Sequence, residues 1–308
     1  MSRVNPRVDF AFKKIFGSEE NKDILLLFIN AILPEQDTLA SLELKNPYNL
    51  KDFASDKMTI LDIRAIDNLG RSVTIEMQVT DQLYYEKRAL FCWSEVYGKQ
   101  LGEGQGYSDL KKTIAIHVLN FNLMDEEGYH NIYKIKNIAS EKVAFEDFQL
   151  HTIELKKFDK EIPLSNLKKS LDRWMTFLTK AQEFSKNQIP EELKAEPGLE
   201  KAIKVLDTLY LDEVERTVYE GRLKWLRDED AAIEKAKERG RIEGIAKGKA
   251  QGMSEGLAKG KAQGKAEGKA EGEHEKAINV AKKLKSKGMD RSEISAITGL
   301  GEEEIRKL

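Results

Sequence analysis

One cysteine, Cys92, occurs in 308 residues, so no disulfide can close within the chain and a reducing cytoplasm is the expected setting. Cys92 itself reads as core filler. Long apolar runs are also missing: the longest, Ile24–Leu33, is about half of the roughly 20 residues that cross a bilayer. It reads as a buried helix, and no membrane partner is expected. The first residues carry charges without an apolar run and small residues behind them, so a secretory leader is not expected. There is no GxGxxG or Walker loop, no CxxC and no HExxH, which leaves no motif for a nucleotide cofactor, thiol redox chemistry or a zinc protease site. The four histidines, His117, His130, His151 and His274, lack ligand spacing in the sequence. His117 lies in an apolar strand and reads as a core histidine.

What is present is an ordinary globular composition, 40% hydrophobic and 34% charged, with a formal charge of −2. The charge is unevenly spread. Lys plus Arg number 33 against 40 Asp plus Glu over residues 1–230, but 14 against 8 over residues 231–285. An acidic body therefore carries a basic tail, and a nucleic-acid partner would be held at least partly by that tail.

Residues 9–33 read as two helical pieces that break at Gly17, restart at Ser18 and end at Pro34. Strand patterns follow over Leu39–Leu44, Met58–Ile66 and Ser72–Thr80, the last two joined by the turn sequence Asp67-Asn68-Leu69-Gly70. Helical spacing over Leu83–Leu101 precedes a buried strand over Thr113–Phe121, and residues 145–158 supply a further strand candidate. Leu167–Leu226 is helical, with Trp174, Phe177, Leu178, Leu206, Leu209 and Tyr210 reading as core. Nine glycines then recur at every fourth residue from Gly240 to Gly272. At about 1 kcal/mol per glycine relative to alanine, an isolated helix there is poor, and a flexible or nascently helical linker is favoured over self-association through small residues. Residues 275–308 become regular again, with helix-spaced Ile278, Ala281 and Leu284 and breaks at Gly288 and Gly299. Such a module suits either a helix-turn-helix or a protein-docking knob. The expected organisation is a core over 1–160, a helical extension over 161–230, the glycine-repeat linker over 231–274 and a small helical module over 275–308.

The hairpin can be tested by alternation. Val73, Ile75, Met77 and Val79 share one face of its second strand, and Thr74, Glu76 and Gln78 the other. A turn centred on Leu69 makes partner numbers sum to 138, which sets Asp62 opposite Glu76 with Cβ atoms about 4.5–5.5 Å apart. A half-residue slip would set Asp62 against the apolar face. Two carboxylates that close repel, and a divalent cation such as Mg²⁺, which takes one or two carboxylates and keeps several waters, would relieve them. Equally, Asp62 could pair with Arg64 or Lys57, with Glu76 on a solvated face.

The spacing D-x13-E-x-Q, in the order helix, three strands, helix, strand, resembles the PD-(D/E)XK nuclease core. The ordered stretches VDFAFKKIFGSEENKDILLLFINAIL, LDIRA, IEMQ, YYEKRALFCWSEVYGKQL and GQGYSDLKKTIAIHVLNF resemble, more closely, the Rpn family of recombination-promoting nucleases and proteins classed as transposases. The resemblance implies an α/β fold with a restriction-endonuclease-like core, followed by helices and a helical or flexible tail. It implies Asp62, Glu76 and Gln78 as catalytic residues, with Asp62, Glu76 and the Met77 carbonyl as ligands of Mg²⁺ or Mn²⁺. Gln78 stands where the superfamily usually has Lys. An amide can bond a water or phosphate but brings no positive charge to a developing oxyanion. Lys13 or Arg88 could supply that cation, and Asp9 could join the site as an acidic group or as a helix cap. The implied activity is metal-dependent hydrolysis of DNA, linked to recombination or mobile elements. A catalytically weak or inactive DNA-binding or oligomerising protein on the same fold is the alternative, and an RNA-directed nuclease a third.

Overall fold

The computed structural model describes residues 4–46, 63–81, 83–158, 162–184, 189–209 and 212–308. Asp62, residues 58–61 of the expected strand, and Tyr210 lie outside the described residues. The described residues divide into two compact units, residues 1–232 and 233–308.

The first unit opens with helices α1 (Asp9–Phe16) and α2 (Lys22–Ile32). They are parted, as expected, at Gly17, where a tight turn begins at Ser18. At Gly17 the constraint is space: a Cβ would lie 2.8 Å from the Lys13 carbonyl oxygen, 3.0 Å from Lys13 Cγ and 3.5 Å from Ile63 Cγ1. Strands β1 (Leu42–Leu44), β2 (Ile63–Asp67) and β3 (Ser72–Gln78) come next. Helix α3 (Tyr85–Gly98) then leads to β4 (Thr113–Leu119). A hairpin of β5 (His130–Lys136) and β6 (Val143–Glu154) completes one six-stranded mixed sheet in the order β1-β2-β3-β4-β6-β5.

The register expected from the sequence is the one observed. Ile63 pairs with Ile75, Arg64 with Thr74, Ala65 with Val73 and Ile66 with Ser72. The Asp67 carboxylate closes the turn by accepting the Leu69 and Arg71 amides, and Gly70 takes the left-handed conformation that the turn requires (φ 79°). Beyond this hairpin β3 pairs parallel with β4, and β4 parallel with β6, because the helix α3 returns the chain to the same end of the sheet.

Alternation gives the sheet two faces. One carries Ile63, Val73, Ile75, Ile114, Ile116, Val118 and Ile153 into the main core. There α1 and α2 are joined by α4 (Ser170–Lys180), α5 (Glu191–Lys194) and α6 (Leu199–Leu209). An aromatic chain runs through it: Phe12 to Phe16 at 4.6 Å between ring centres, Phe16 to Phe28 at 4.7 Å and Phe28 to Trp174 at 5.3 Å. Leu171, Trp174, Phe177 and Leu206 belong to this same core, so the helices of residues 161–230 complete the sheet's packing. The other face is covered by α3, whose inward residues Tyr85, Ala89, Trp93 and Tyr97 recur at every fourth position. Trp93 donates to the Thr113 carbonyl at 2.9 Å and packs on Phe148, and Tyr97 bonds Asp147 at 2.7 Å. Cys92, expected in the core, is only half-buried on this helix, since it stands one position off the inward row.

Two histidines that are distant in sequence meet across the β5–β6 hairpin. His130 Nε2 lies 2.9 Å from His151 Nδ1 with the rings stacked, and Gln149 Nε2 lies 2.8 Å from His151 Nε2. The Gln149 amide can only donate to Nε2, so the His151 proton sits on Nδ1 and is donated to His130. Burial holds both imidazoles neutral, pushing His130 down to about 4 and His151 to about 3.

Helix α7 (Glu213–Ser286) begins in the first unit and runs unbroken through the glycine repeat. Of the two states expected for the tail, helical or flexible, the helical one is found. The intervening Lys, Ala, Glu and Gln are strong helix formers, and Gln251–Glu255, Gln263–Glu267 and Lys269–Glu273 pair one turn apart, each pair adding roughly 0.2–0.5 kcal/mol. Among the described residues no helix is long and apolar enough to cross a membrane. In the second unit Ala281 of α7 packs with Ile294 of α8 (Arg291–Thr298), Leu300, and Ile305 of α9 (Glu302–Lys307). The breaks fall where expected, at left-handed Gly288 and Gly299, and Asp290 caps α8 through the Ser292 amide.

A Cβ at Gly248, Gly252 or Gly256 meets nothing within 4 Å, so Gly→Ala at these positions should stabilise the helix by about 0.5–1 kcal/mol each. Slower amide exchange over residues 240–272 is the expected readout; faster exchange would contradict a single exposed helix. The buried histidine pair carries a second prediction. The unfolded chain takes up protons on His130 and His151 near their ordinary value of 6.5, while the folded chain holds them off until about pH 4 and 3. Stability is therefore complete above pH 6.5 and falls on acidification, by up to about 1.4 kcal/mol per pH unit for each histidine. Replacing both by Gln flattens urea-melt stability between pH 6.5 and 4.

Candidate active site

The polar row of β3 lies on the α3 side of the sheet. Ser72, Thr74, Glu76 and Gln78 alternate with core residues, and Met77 packs on the main core. Glu76 is 5% exposed, so the reading that puts it on a solvated face does not hold. A carboxylate so deep must be compensated, because desolvation of an isolated charge is costly.

Three side chains surround it. Parallel register sets Glu76 beside His117 of β4, with His117 Nδ1 3.4 Å from Glu76 Oε2. The Tyr85 hydroxyl, at the start of the covering helix, is 2.6 Å from His117 Nδ1 and 3.3 Å from Glu76 Oε2. Arg88 stands one turn further along α3, its Nη2 3.8 Å from Glu76 Oε1 and its Nη1 donating to Gln78 Oε1 at 3.5 Å. The Gln78 amide in turn donates to the Thr80 carbonyl at 3.1 Å. Thus Glu76, Gln78 and Arg88 come together, and Tyr85 and His117 join them. A small cavity on this face is lined by Thr74, Glu76, Cys92, Trp93, Val96, Ala115 and His117.

Asp9 and Lys13 are placed differently. Asp9 is the first residue of α1, where its Oδ1 accepts the Phe10 amide at 2.8 Å and its Oδ2 lies 3.6 Å from Arg222 Nε of α7. Burial raises its pKa against the opposing pull of Arg222 and the Phe10 amide. Lys13 is buried in α1, and the packing at Gly17 sets its stem beside Ile63, the residue after Asp62. The end of the polar row is braced from both chain directions. The Asn120 amide bonds the Gln78 carbonyl at 2.9 Å and Arg7 bonds the Asn120 side chain at 2.9 Å. The first turns of α7 return through Lys14–Glu215 at 2.7 Å and through the Tyr219 hydroxyl, which accepts the Asn5 amide at 2.8 Å.

Among the described residues no three His, Cys, Asp or Glu side chains converge in a group that could hold a metal ion. Of the expected ligand set, Glu76 and Met77 are described and Asp62 is not. The described members of that set, the Glu76 carboxylate and the Met77 carbonyl, offer hard oxygens, the kind that suits Mg²⁺ or Mn²⁺.

Tyr85 and His117 carry no motif that marks them in the sequence. His117 has a weaker signal, because the strand TIAIHVL alternates, and Thr113, Ala115, His117 and Leu119 must share the helix-covered face with Glu76 once β3 and β4 run parallel.

A family model described as PD-(D/E)XK nuclease family transposase matches residues 6–236. The match spans the sheet, the helices packed on it and the first turns of α7. No curated protein and no solved structure matches the chain.

Proposed function

The chain belongs to the family of PD-(D/E)XK nuclease family transposases, and from that premise we propose that it is a metal-dependent endonuclease that hydrolyses DNA phosphodiesters at Glu76. The observation that carries this reading is the buried carboxylate of Glu76, held on a strand beside Gln78 and Arg88. Buried carboxylates kept at such expense on a helix-covered face are candidates for chemistry.

Asp62 and Glu76 would hold Mg²⁺ or Mn²⁺ together with the Met77 carbonyl. When bound, the ion supplies polarisation of the phosphodiester and a lowered pKa for the attacking water. The chain's own groups do the rest. Tyr85 and His117 fix the rotamer of Glu76. Gln78, its amide nitrogen tied to Thr80, presents its carbonyl oxygen, which orients a water. Arg88 brings the fixed positive charge that Gln78 lacks, with a guanidinium fork suited to phosphate oxygens. Lys13, whose stem lies beside the start of β2, is the second candidate cation. The alternative of a catalytically weak DNA-binding protein is favoured by one observation: Arg88 already stands 3.8 Å from Glu76 and offsets its charge without any metal. The family description supports a link to mobile elements, and the link to recombination rests on the sequence resemblance alone.

Two experiments test the proposal. Supercoiled plasmid incubated with Mg²⁺ should be nicked or linearised by the wild type, and cleavage should fall by about 10²–10³-fold or more in Asp62→Ala and Glu76→Ala. Persistent cleavage in either variant, or in EDTA, would sink the assignment. If Arg88 replaces the usual lysine, Arg88→Ala lowers kcat by about 10²-fold, and adding Gln78→Lys to that variant restores a large part of the loss. Gln78→Lys alone brings no gain, since a second cation next to Arg88 is repelled.

A further inference from the structure

A second feature lies on the same face of the sheet, toward the opposite end of β3. A cleft of about 500 Å³ is lined by Ser72 and Thr74 of β3, Arg64 of β2, Val96 and Lys99 at the end of α3, and Lys111 before β4, with Lys45 and Asp109 at its edge. Thr74 and Val96 line both this cleft and the cavity at Glu76, so the two adjoin.

Its charge is cationic on the inside. Lys45 and Lys99 are tied to exposed partners, Glu43 and Glu95, in solvent-facing pairs that contribute little and exchange readily. Asp109 is turned to the Gly106 amide. Arg64 and Lys111 are exposed, and their side chains make no ion pair or hydrogen bond among the described residues. Arg64 stands opposite Thr74 across the β2–β3 register. Lys111 lies against the Gly70 turn on the other side of β3, its Cγ 3.4 Å from where a Gly70 Cβ would be. Two exposed cations thus flank a floor that includes the buried Ser72 and Thr74. Cations and neutral O–H donors around one hollow are the set that recognises phosphate oxygens.

We infer that this cleft holds the sugar-phosphate backbone of a DNA strand next to the phosphodiester that reacts at Glu76. The inference rests on the proposed nuclease reading. Thr74 and Glu76 are separated by one strand repeat, about 6.6 Å, short enough for the two positions to serve neighbouring phosphates of one strand. Seated against the exposed Arg64 and Lys111, the backbone runs beside the part of β3 that α3 covers, with a flanking phosphate held next to the one that reacts. The grip on DNA lies in the sheet domain, and the basic tail is not its sole source.

The test measures binding of a labelled 20-base-pair DNA duplex (about two helical turns, enough to fill the cleft on either side of the reacting bond) to the full chain in EDTA, across a salt series. Arg64→Gln/Lys111→Gln should weaken binding at least tenfold near 100 mM salt and reduce the slope of log K against log[salt] by roughly 1.8, about 0.9 for each phosphate no longer neutralised. Arg64→Lys should keep the slope. Thermal midpoints equal to wild type show that these exposed substitutions leave the fold intact. Unchanged affinity and slope in the double variant overturn the inference, as does failure of the wild type to bind duplex in EDTA and in Ca²⁺ alike. Displacement of the duplex by millimolar inorganic phosphate at constant ionic strength reassigns the cleft to a small phosphate ligand and overturns it too. Tighter binding of RNA of the same sequence overturns DNA as the occupant. A wild type that never cleaves, but whose binding depends on Arg64 and Lys111, defeats the nuclease reading alone. One that cleaves while the double variant binds as before defeats the cleft alone.

Discussion

The carboxylate of Glu76 is the constraint around which the α3 side of the sheet is organised. At 5% exposure it cannot remain charged in an apolar layer, so the face must supply polar partners at defined places. A strand alone cannot do this, because its neighbours on one face stand about 6.6 Å away. The crossover β3–α3–β4 can. Parallel pairing brings His117 alongside, and the covering helix drops Tyr85 and Arg88 onto the same spot one turn apart. The beginning of that helix is tightly specified: Tyr84, the residue before it, holds a left-handed conformation (φ 64°), which costs a non-glycine residue about 1 kcal/mol or more. The strain is borne where a small shift would move Tyr85 and Arg88 away from Glu76.

The other face gives this arrangement its rigidity. The aromatic series Phe12, Phe16, Phe28 and Trp174 fills the space between α1, α2 and α4, and close-packed interiors of this kind yield little to local strain. The first turns of α7 are bound back to the N-terminal segment by Lys14–Glu215, Arg222–Asp9 and Asn5–Tyr219. The family match, which extends to residue 236, takes in these turns. The stretch is part of the sheet's support, and the compact unit ends close to the same point, at Ala232. The glycine repeat begins only beyond it, where a Cβ on any of its nine glycines meets nothing within 4 Å and packing places little constraint on the sequence.

How far these features can be read from the chain depends on the range of the forces involved. The hairpin register is legible, because alternation of Val73, Ile75 and Met77 against Thr74, Glu76 and Gln78 excludes a one-residue slip and the turn at Leu69 fixes the centre. Helix ends at Gly17, Gly288 and Gly299 are legible, because capping is local chemistry. Strand β5 is not, since HNIYKIK is half exposed and its stability comes from pairing with β6. Nor are the partners of Glu76: His117 lies far along the chain from it, and only the parallel topology makes them neighbours. The repeat is a different case: nine glycines at about 1 kcal/mol each outweigh the turn-to-turn pairs of Gln251, Gln263 and Lys269 with their glutamates at roughly 0.2–0.5 kcal/mol each, so local energies leave a helical and a flexible tail both open.

Gln78 is best understood together with Arg88. A lysine on β3 at that position would be a partly buried ammonium, whose pKa burial lowers, so its charge would depend on the state of its surroundings. A guanidinium remains charged at any accessible pH, is more weakly hydrated, and reaches from the helix to within 3.5 Å of Gln78 Oε1 and 3.8 Å of Glu76 Oε1. On the proposed reading, a cation on the helix leaves the Gln78 carbonyl oxygen to orient a neutral water while its nitrogen stays tied to Thr80, and puts the positive charge on an element anchored to the sheet through Trp93 and Tyr97. It also explains how Glu76 tolerates burial when no ion is bound, since Arg88 offsets its charge. The same contact would have to loosen when a divalent cation arrives, because the guanidinium and the ion compete for Glu76. On the proposed metal-dependent reading, such a site would trade some affinity for metal against stability without it.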